Sequence, residues 1–511
     1  KQEHIVMLPY MAQGHLIPFL ALAKQIAQRF PTFTITIATT PLNVRYLAAA
    51  LSKTSTPPPP QTSQIHFSDL PFNSSDHGLP PNTENAEALP LNLVVNLFHS
   101  SASLEPAFRR LIRDITAADA APPLCIISDV FMGWATKVAE SFFTVNVTFS
   151  TGGAYGTAAY MSMWQHLPHR RANSSDYFTL PGFPESSSPF HITQLHRFLR
   201  NADGTDSWSR FFQPTIANSL NSFGWLCATA AEIEPLGLTV LTDYTKRPVW
   251  CIGPLLPNGL LARKPSRVIG KHTGREPGVS PEKCIEWLDS KPENSVLYIS
   301  FGSQNTISPS QMMALALGLE DCNHPFIWAI RPPTGFNSRG EFKPEWLPDG
   351  FEERMARADR GMVVHGWAPQ LEILSHRSTA AFLSHCGWNS IGESLSQGVP
   401  MIGWPLAAEQ GYNAKLLVEE MGVCVEMTRG VESSISREEV RRVIETVMGG
   451  GSKAVEMREK AGGIGEMIRA ALTEEDGRKG SSLKAMDDFV ADLLSHRDDE
   501  LMRAAMDFCS Y

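Results

Sequence analysis

The chain has 511 residues, 43% of them hydrophobic, a length that asks for more than one core and hence for two domains. Its 44 basic against 53 acidic residues give a net charge of -9, which leaves no electrostatic case for nucleic acid or an anionic membrane surface. The eight cysteines form no CxxC pair and read as reduced thiols, and no apolar run reaches the roughly 18 residues of a spanning helix, so a soluble cytoplasmic protein is expected.

Residues 4–8 (HIVML) read as a buried strand broken by Pro9. Behind Met11 and Gly14, the apolar positions Leu16, Phe19, Leu20, Ala23 and Ile26 keep helical spacing, with Pro18 expected in the first turn. His15 therefore stands where a strand hands over to a helix, the edge of an open α/β sheet at which ligands bind. Residues 34–38 supply the second strand, so the opening is Rossmann-like. Only Gly14 of a G-x-G-x-x-G fingerprint is present, which disfavours a nicotinamide enzyme. After a proline-rich loop over 53–64 and an irregular stretch over 71–90, residues 91–118 read as helical. The run 124–128 then reads as a strand that ends at Asp129, on the same sheet edge as His15.

A strand over 144–149 ends at Ser150 and Thr151, and 178–200 reads as loop with short helical turns. Helix over 207–224, kinked at Pro214, and a strand over 225–229 follow. Residues 249–256 read as the last strand of the first domain, and 257–281, rich in Pro, Gly, Lys and Arg, as a linker. The second domain opens with a helix over 281–288 and a strand over 295–301 that stops at Gly302 and Ser303, a corner suited to phosphate. Strands over 326–330 and 362–364 come next. Ser436 and Glu439 make a capping box for a helix over 436–448, and an amphipathic helix starts at Ser482.

The stretch from Trp367 to Gln410, WAPQLEILSHRSTAAFLSHCGWNSIGESLSQGVPMIGWPLAAEQ, holds most of the recognisable chemistry. Residues 380–383 read as a buried strand, 384–390 as a Gly-containing turn, and 391–397 as a helix that exits at Gly398. A helix beginning straight after a strand directs unpaired N–H groups and its positive end at the sheet edge, which suits a phosphate. Asn389, Ser390 and Glu393 share one helix face, while Trp404, Leu383 and Ile391 are expected in the core.

This stretch closely resembles, without a gap, the signature box of the plant UDP-dependent glycosyltransferases of family 1, which have the GT-B fold. The resemblance implies an α/β protein with two Rossmann-like domains facing across a cleft. An acceptor-binding domain over 1–256, a linker over 257–281 and a UDP-sugar domain over 282–481 are expected, with a last helix over 482–511 packing back on the first domain. It further implies that Trp367 stacks on uracil, that Ala368 and Gln370 bond the base and ribose region, and that His385, Gly387, Asn389 and Ser390 hold the diphosphate. Glu393 matches the residue that holds the ribose hydroxyls; Trp388, Glu409 and Gln410 match those lining the sugar, and a terminal Gln resembles the glucose-preferring members. Asp129, followed by Val130 and Phe131, is similar to the family's acidic catalytic position. Thr151 resembles a hydroxyl that contacts the donor sugar, and the Ser303 corner a diphosphate contact.

Glycosyl transfer from a nucleotide to an alcohol needs a base for the acceptor proton and stabilisation of the leaving diphosphate. A neutral imidazole serves the first at cellular pH, so His15 is the candidate base, with Asp129 accepting from its other ring nitrogen. The acceptor oxygen then attacks opposite UDP with inversion. No cluster with ligand spacing argues for a metal, and no cofactor beyond the UDP-sugar co-substrate is expected. Met11, Phe131, Met132 and Tyr155 are candidate acceptor contacts for a lipophilic flavonoid, phenylpropanoid or terpenoid, and a monomer is the default. A C-glycosyltransferase and an inactive UDP-sugar-binding protein are the competing readings. The absence of a G-x-S-x-G elbow argues against a serine hydrolase.

Overall fold

The computed structural model describes residues 3–52, 64–87, 89–171, 176–257, 259–261, 278–337 and 340–509. Most of the expected linker, all of the proline-rich loop except Gln64, and the final two positions lie outside the described residues. The chain forms two units, one from Lys1–Ala154, Ser207–Leu255 and Ala470–Tyr511, the other from Tyr155–Asp206 and Leu256–Arg469.

In the first unit seven strands form one parallel sheet: β1 (Glu3–Leu8), β2 (Phe33–Thr39), β3 (Ile65–Asp69), β4 (Cys125–Asp129), β5 (Val145–Ser150), β6 (Gly224–Cys227) and β7 (Val249–Cys251). Their order is β3-β2-β1-β4-β5-β6-β7. Central strands of such a sheet are covered on both faces, which is why β4 (CIISD) is apolar through most of its length and buried throughout. Between β1 and β4 the strand order reverses, and the carboxyl ends of the two strands lie side by side, with Leu8 opposite Ser128. The helix α1 (Gln13–Arg29) leaves β1 at that point. Pro18 falls inside α1, in its second turn rather than its first.

The second unit repeats the plan. Strands β8 (Val296–Ser300), β9 (Phe326–Ile330), β10 (Gly361–His365), β11 (Thr379–Ser384), β12 (Met401–Gly403) and β13 (Cys424–Glu426) form a parallel sheet ordered β10-β9-β8-β11-β12-β13. Here the reversal lies between β8 and β11, with Ser300 opposite Ser384. Leu383, Ile391 and Trp404 are fully buried, as their spacing predicts. Ser436 caps the helix Arg437–Met448 through a capping box with Glu439.

Several boundaries differ from the sequence reading. The helix after β11, α2 (Trp388–Ser396), opens three residues earlier than expected, because Gly387 already has the extended backbone of an N-cap. The single helix expected over 91–118 is three pieces, Leu91–Ser100, a 3-10 turn Ser101–Leu104 and Glu105–Asp119. Ser100 and Ser101 each turn their hydroxyl back on a carbonyl of the preceding turn, and Pro106 has no N–H to carry the ladder through. The strand expected over 249–256 stops at Cys251, shortly before Pro254. Within the expected loop 178–200, Tyr177–Phe178 and Phe190–His191 pair as a short antiparallel hairpin.

The two compact units divide the chain differently from the expected 1–256 domain. Residues 155–206 pack into the second unit, where Lys415 Nζ donates to Ser188 Oγ at 2.7 Å and Pro189 O at 3.2 Å, and Arg429 Nη1 donates to Thr193 Oγ1 at 2.8 Å. The first unit instead recruits the C-terminal helix Ser481–Cys509, whose Phe489 ring stands 5.2 Å from that of Trp250 on β7.

Candidate functional site

The first group of candidate residues gathers at the strand-order reversal of the first unit. His15 is in the first turn of α1, and Asp129 is the last residue of β4, so the topology alone brings the two together. The Nδ1–H of His15 donates to Asp129 Oδ2 at 2.6 Å, and Asp129 has no exposed surface. The other oxygen, Oδ1, accepts the backbone N–H of Phe131 at 3.0 Å, so the carboxylate is held from two sides. Thr151 lies just past β5, its Oγ1 3.5 Å from His15 Nδ1. A buried carboxylate on Nδ1 fixes the tautomer and presents Nε2 as the basic nitrogen, an arrangement that can take a proton and stabilise the resulting cation.

Aromatic rings border this dyad. Tyr10 and Phe131 each stand with ring centroids 5.4 Å from the imidazole, and Phe98 stacks on Tyr10 at 4.6 Å. Phe98 in turn meets Trp208, Phe211 and Phe212 from the helix Ser207–Ser219. Of the expected acceptor contacts, Phe131 alone belongs to this ring cluster. Met11 and Met132 are completely buried. Tyr155 is buried in the second unit, its ring against those of Phe183 and Phe190. Phe98, Phe211 and Phe212 escaped the sequence reading, because an aromatic at helical spacing reads as core.

The second group lies at the reversal of the other sheet. β8 ends at Ser300 and leads into Gly302 and Ser303, β11 ends at Ser384 just before His385, and α2 begins at Trp388, with Asn389 exposed and Ser390 buried in its first turn. The His385 ring is wedged between two glycine backbones. A Cβ built on Gly302 would sit 2.5 Å from its Cε1, and one on Gly387 2.5 Å from its Nε2. Gly302 has φ +72°, a conformation that only glycine adopts cheaply. Buried His385 Nδ1 has no partner among the described residues. Burial, and secondly the Arg331 charge, push this imidazole down to about 4, so near neutrality it is an uncharged hydrogen-bonding group and not a cation.

Gln370 ties the helix face together. Its Nε2 donates to Glu393 Oε2 at 2.6 Å and Ser390 Oγ at 3.2 Å, while the Tyr298 hydroxyl donates to its Oε1 at 3.1 Å. Burial lifts the Glu393 carboxyl to about 7 even though the Gln370 bond opposes the shift. Gln410 Oε1 accepts the backbone N–H groups of Leu406 and Ala407 at 2.9 Å each, so its Nε2 is the end that can serve a further partner. Glu409, half-buried, accepts from Asn413 Nδ2 at 3.4 Å, and Ala368 is half-buried. Trp367 is half-buried with the Arg331 guanidinium 5.4 Å from its ring centroid, whereas Trp388 is 4% exposed. Arg331 and Tyr298 were missed by the sequence reading. Their signals were a cation immediately after β9 and a hydroxyl inside the apolar strand β8.

Residues 2–257 match the family described as "Glycosyltransferase, N-terminal domain", and residues 239–458 match "UDP-glucoronosyl and UDP-glucosyl transferase". The chain is similar to crocetin glucosyltransferase 3 of Crocus sativus, 45% identical over 94% of this chain and 97% of that protein. It is also similar to UDP-glycosyltransferase 92A1 of Arabidopsis thaliana, 42% identical over 95% and 96%. Among solved structures, Glycyrrhiza uralensis UGT73P12 complexed with glycyrrhetinic acid 3-O-monoglucuronide aligns with a TM-score of 0.81 at 26% identity, covering 99% of both chains. Medicago truncatula UGT71G1 complexed with UDP-glucose aligns with a TM-score of 0.76 at 25% identity, covering 96% of this chain and 98% of that one. No described helix is long and apolar enough to cross a membrane. Two parallel α/β sheets, and a family match that runs from one unit into the other, give one conclusion: the chain belongs to family 1 of the plant UDP-glycosyltransferases, enzymes of the GT-B fold that transfer sugar from a UDP-sugar.

Proposed function

We propose that this enzyme transfers glucose from UDP-glucose, with inversion, to a hydroxyl of a small lipophilic plant metabolite, and that His15 is the general base. The observation that carries the reading is the 2.6 Å His15–Asp129 pair with Tyr10 and Phe131 against the imidazole. A flat aromatic or polyene alcohol gains by burying its faces against such rings, and its hydroxyl is then presented to Nε2. As that oxygen attacks the anomeric carbon, Nε2 takes its proton and Asp129 stabilises the imidazolium. The bond to UDP breaks, and the electron pair leaves on the diphosphate. His385, the first turn of α2 and the Gly302–Ser303 corner are the groups proposed to meet that charge, without a metal, while Trp367, Gln370 and Glu393 hold the uridine. Glucose as the sugar is supported by Gln410 and by relatives whose names state that chemistry, crocetin glucosyltransferase 3 and UDP-glucose flavonoid 3-O-glucosyltransferase 7 of Fragaria ananassa.

The test is a panel of phenolic, terpenoid and polyene acceptors with UDP-glucose, UDP-galactose and UDP-glucuronate, in buffer containing EDTA. UDP release is read for the native enzyme and for His15→Ala. The variant should lose about 10³-fold or more in kcat and still bind UDP. Equal turnover in both removes His15 from the mechanism, and a product that survives acid hydrolysis overturns the O-linked reading in favour of C-glycosylation.

A further inference from the structure

Arg331 follows β9 directly and meets both the 302–305 turn and the ring of Trp367. Its Nη2 donates to Gly302 O at 2.6 Å and Asn305 O at 3.0 Å, and its Nη1 donates to Ser303 O at 3.0 Å. Its Cζ stands 5.4 Å from the Trp367 ring centroid. A peptide unit is planar and trans, so its N–H points opposite to its C=O. Turning the carbonyls of Gly302 and Ser303 toward one guanidinium therefore turns the N–H groups of Ser303 and Gln304 away from it. Successive N–H groups aimed to one side of a turn make an anion-binding concavity. That turn is the one against which His385 is packed, through Gly302.

We propose that Arg331 is a positioning residue for the donor: it holds the 302–305 turn in its anion-receiving form and braces the ring of Trp367, without itself contacting the transferred sugar. The proposal rests on the donor-site reading above. A guanidinium is suited to this because it is planar, offers five donors in a fixed fork and lies flat on an aromatic ring; lysine offers one point charge. Loss of the fork frees three carbonyls and the turn they fix, so the cost should fall on diphosphate binding more than on the chemical step.

The experiment compares native enzyme, Arg331→Gln and Arg331→Lys for UDP and uridine affinity by calorimetry, for KM and kcat with UDP-glucose, and for the urea unfolding midpoint. For Arg331→Gln we expect UDP affinity and KM to worsen by about tenfold or more, kcat to change by less than about threefold, and uridine affinity to change by less than about threefold. Arg331→Lys should recover only part of the loss, because one ammonium cannot serve three carbonyls. UDP affinity within about twofold of native in a folded Arg331→Gln overturns the proposal, as does an equal loss for UDP and uridine, which would place the effect at Trp367 alone. Should Arg331→Gln not fold, full native affinity in Arg331→Lys overturns it. Failure of the native enzyme to bind UDP at all would instead overturn the donor-site reading.

Discussion

Asp129 keeps its carboxylate wholly inside the protein, one oxygen on His15 and the other on a backbone N–H. A buried charge with two fixed partners serves to orient and to stabilise a neighbouring cation, so Asp129→Asn should keep the geometry and lose the charge. In steady-state assays kcat is expected to fall about 10²-fold or more with KM for UDP-sugar within about twofold. An unchanged kcat would show that the imidazolium needs no counter-charge. Glu393 poses the opposite problem, a carboxyl lifted by burial to about 7 from 4.5. The folded state then binds more protons than the unfolded one between those values. Stability from this group is complete below about pH 4.5, declines as pH rises, and reaches its full penalty above about pH 7. Glu393→Gln removes the titration. Relative to native it should gain stability from pH 5 to pH 8, by up to about 3 kcal/mol, in urea melts. A difference between the two proteins that stays flat with pH would mean the carboxyl is not raised.

The elements that carry these side chains differ in how far their sequences disclose them. Strands β1, β4, β8 and β11 are short apolar runs between turn residues, so their ends, and with them His15, Asp129, Gly302 and His385, could be placed from the sequence. Which strands lie side by side could not, because hydrophobic pattern says nothing about strand order in a parallel sheet. Arg331 was lost for the same reason: only the pairing of β8 with β9 puts it beside Gly302. The breaks at Ser100 and Ser101 are side chain to backbone bonds that no apolar period reports. Gly302 shows what the placement demands of one turn. Its φ of +72° and the 2.5 Å from its would-be Cβ to His385 leave no room for alanine. Gly302→Ala should displace the imidazole and weaken UDP binding about tenfold or more in calorimetric titrations, and undiminished affinity would show that the turn relaxes freely.

The first unit is closed by sequence from three separate stretches, the last of them the C-terminal helix. That helix lies along β7, the edge strand of the sheet. Besides the Phe489–Trp250 contact it is held by Ser482 Oγ donating to Gly253 O at 2.7 Å, by Arg29 donating to both Asp487 oxygens at 2.5 Å, and by an ion pair of 2.6 Å between Arg497 and Glu3. An uncovered parallel edge strand would expose backbone donors and acceptors together with Trp250, so the helix completes the core as well as blocking aggregation. The two ion pairs are partly exposed and worth little each, whereas Phe489 has no exposed surface and its truncation leaves a cavity. Phe489→Ala should therefore cost about 3–5 kcal/mol, and Asp487→Ala less than about 1 kcal/mol, in urea unfolding of the full chain. Because the helix belongs to the unit that carries His15 and Asp129, the same variant should lose turnover at temperatures where the native enzyme is folded, in parallel with its melting curve. If Phe489→Ala melted like the native protein, the helix would be an appendage rather than part of the core. His15 would then depend only on the first two stretches of its unit.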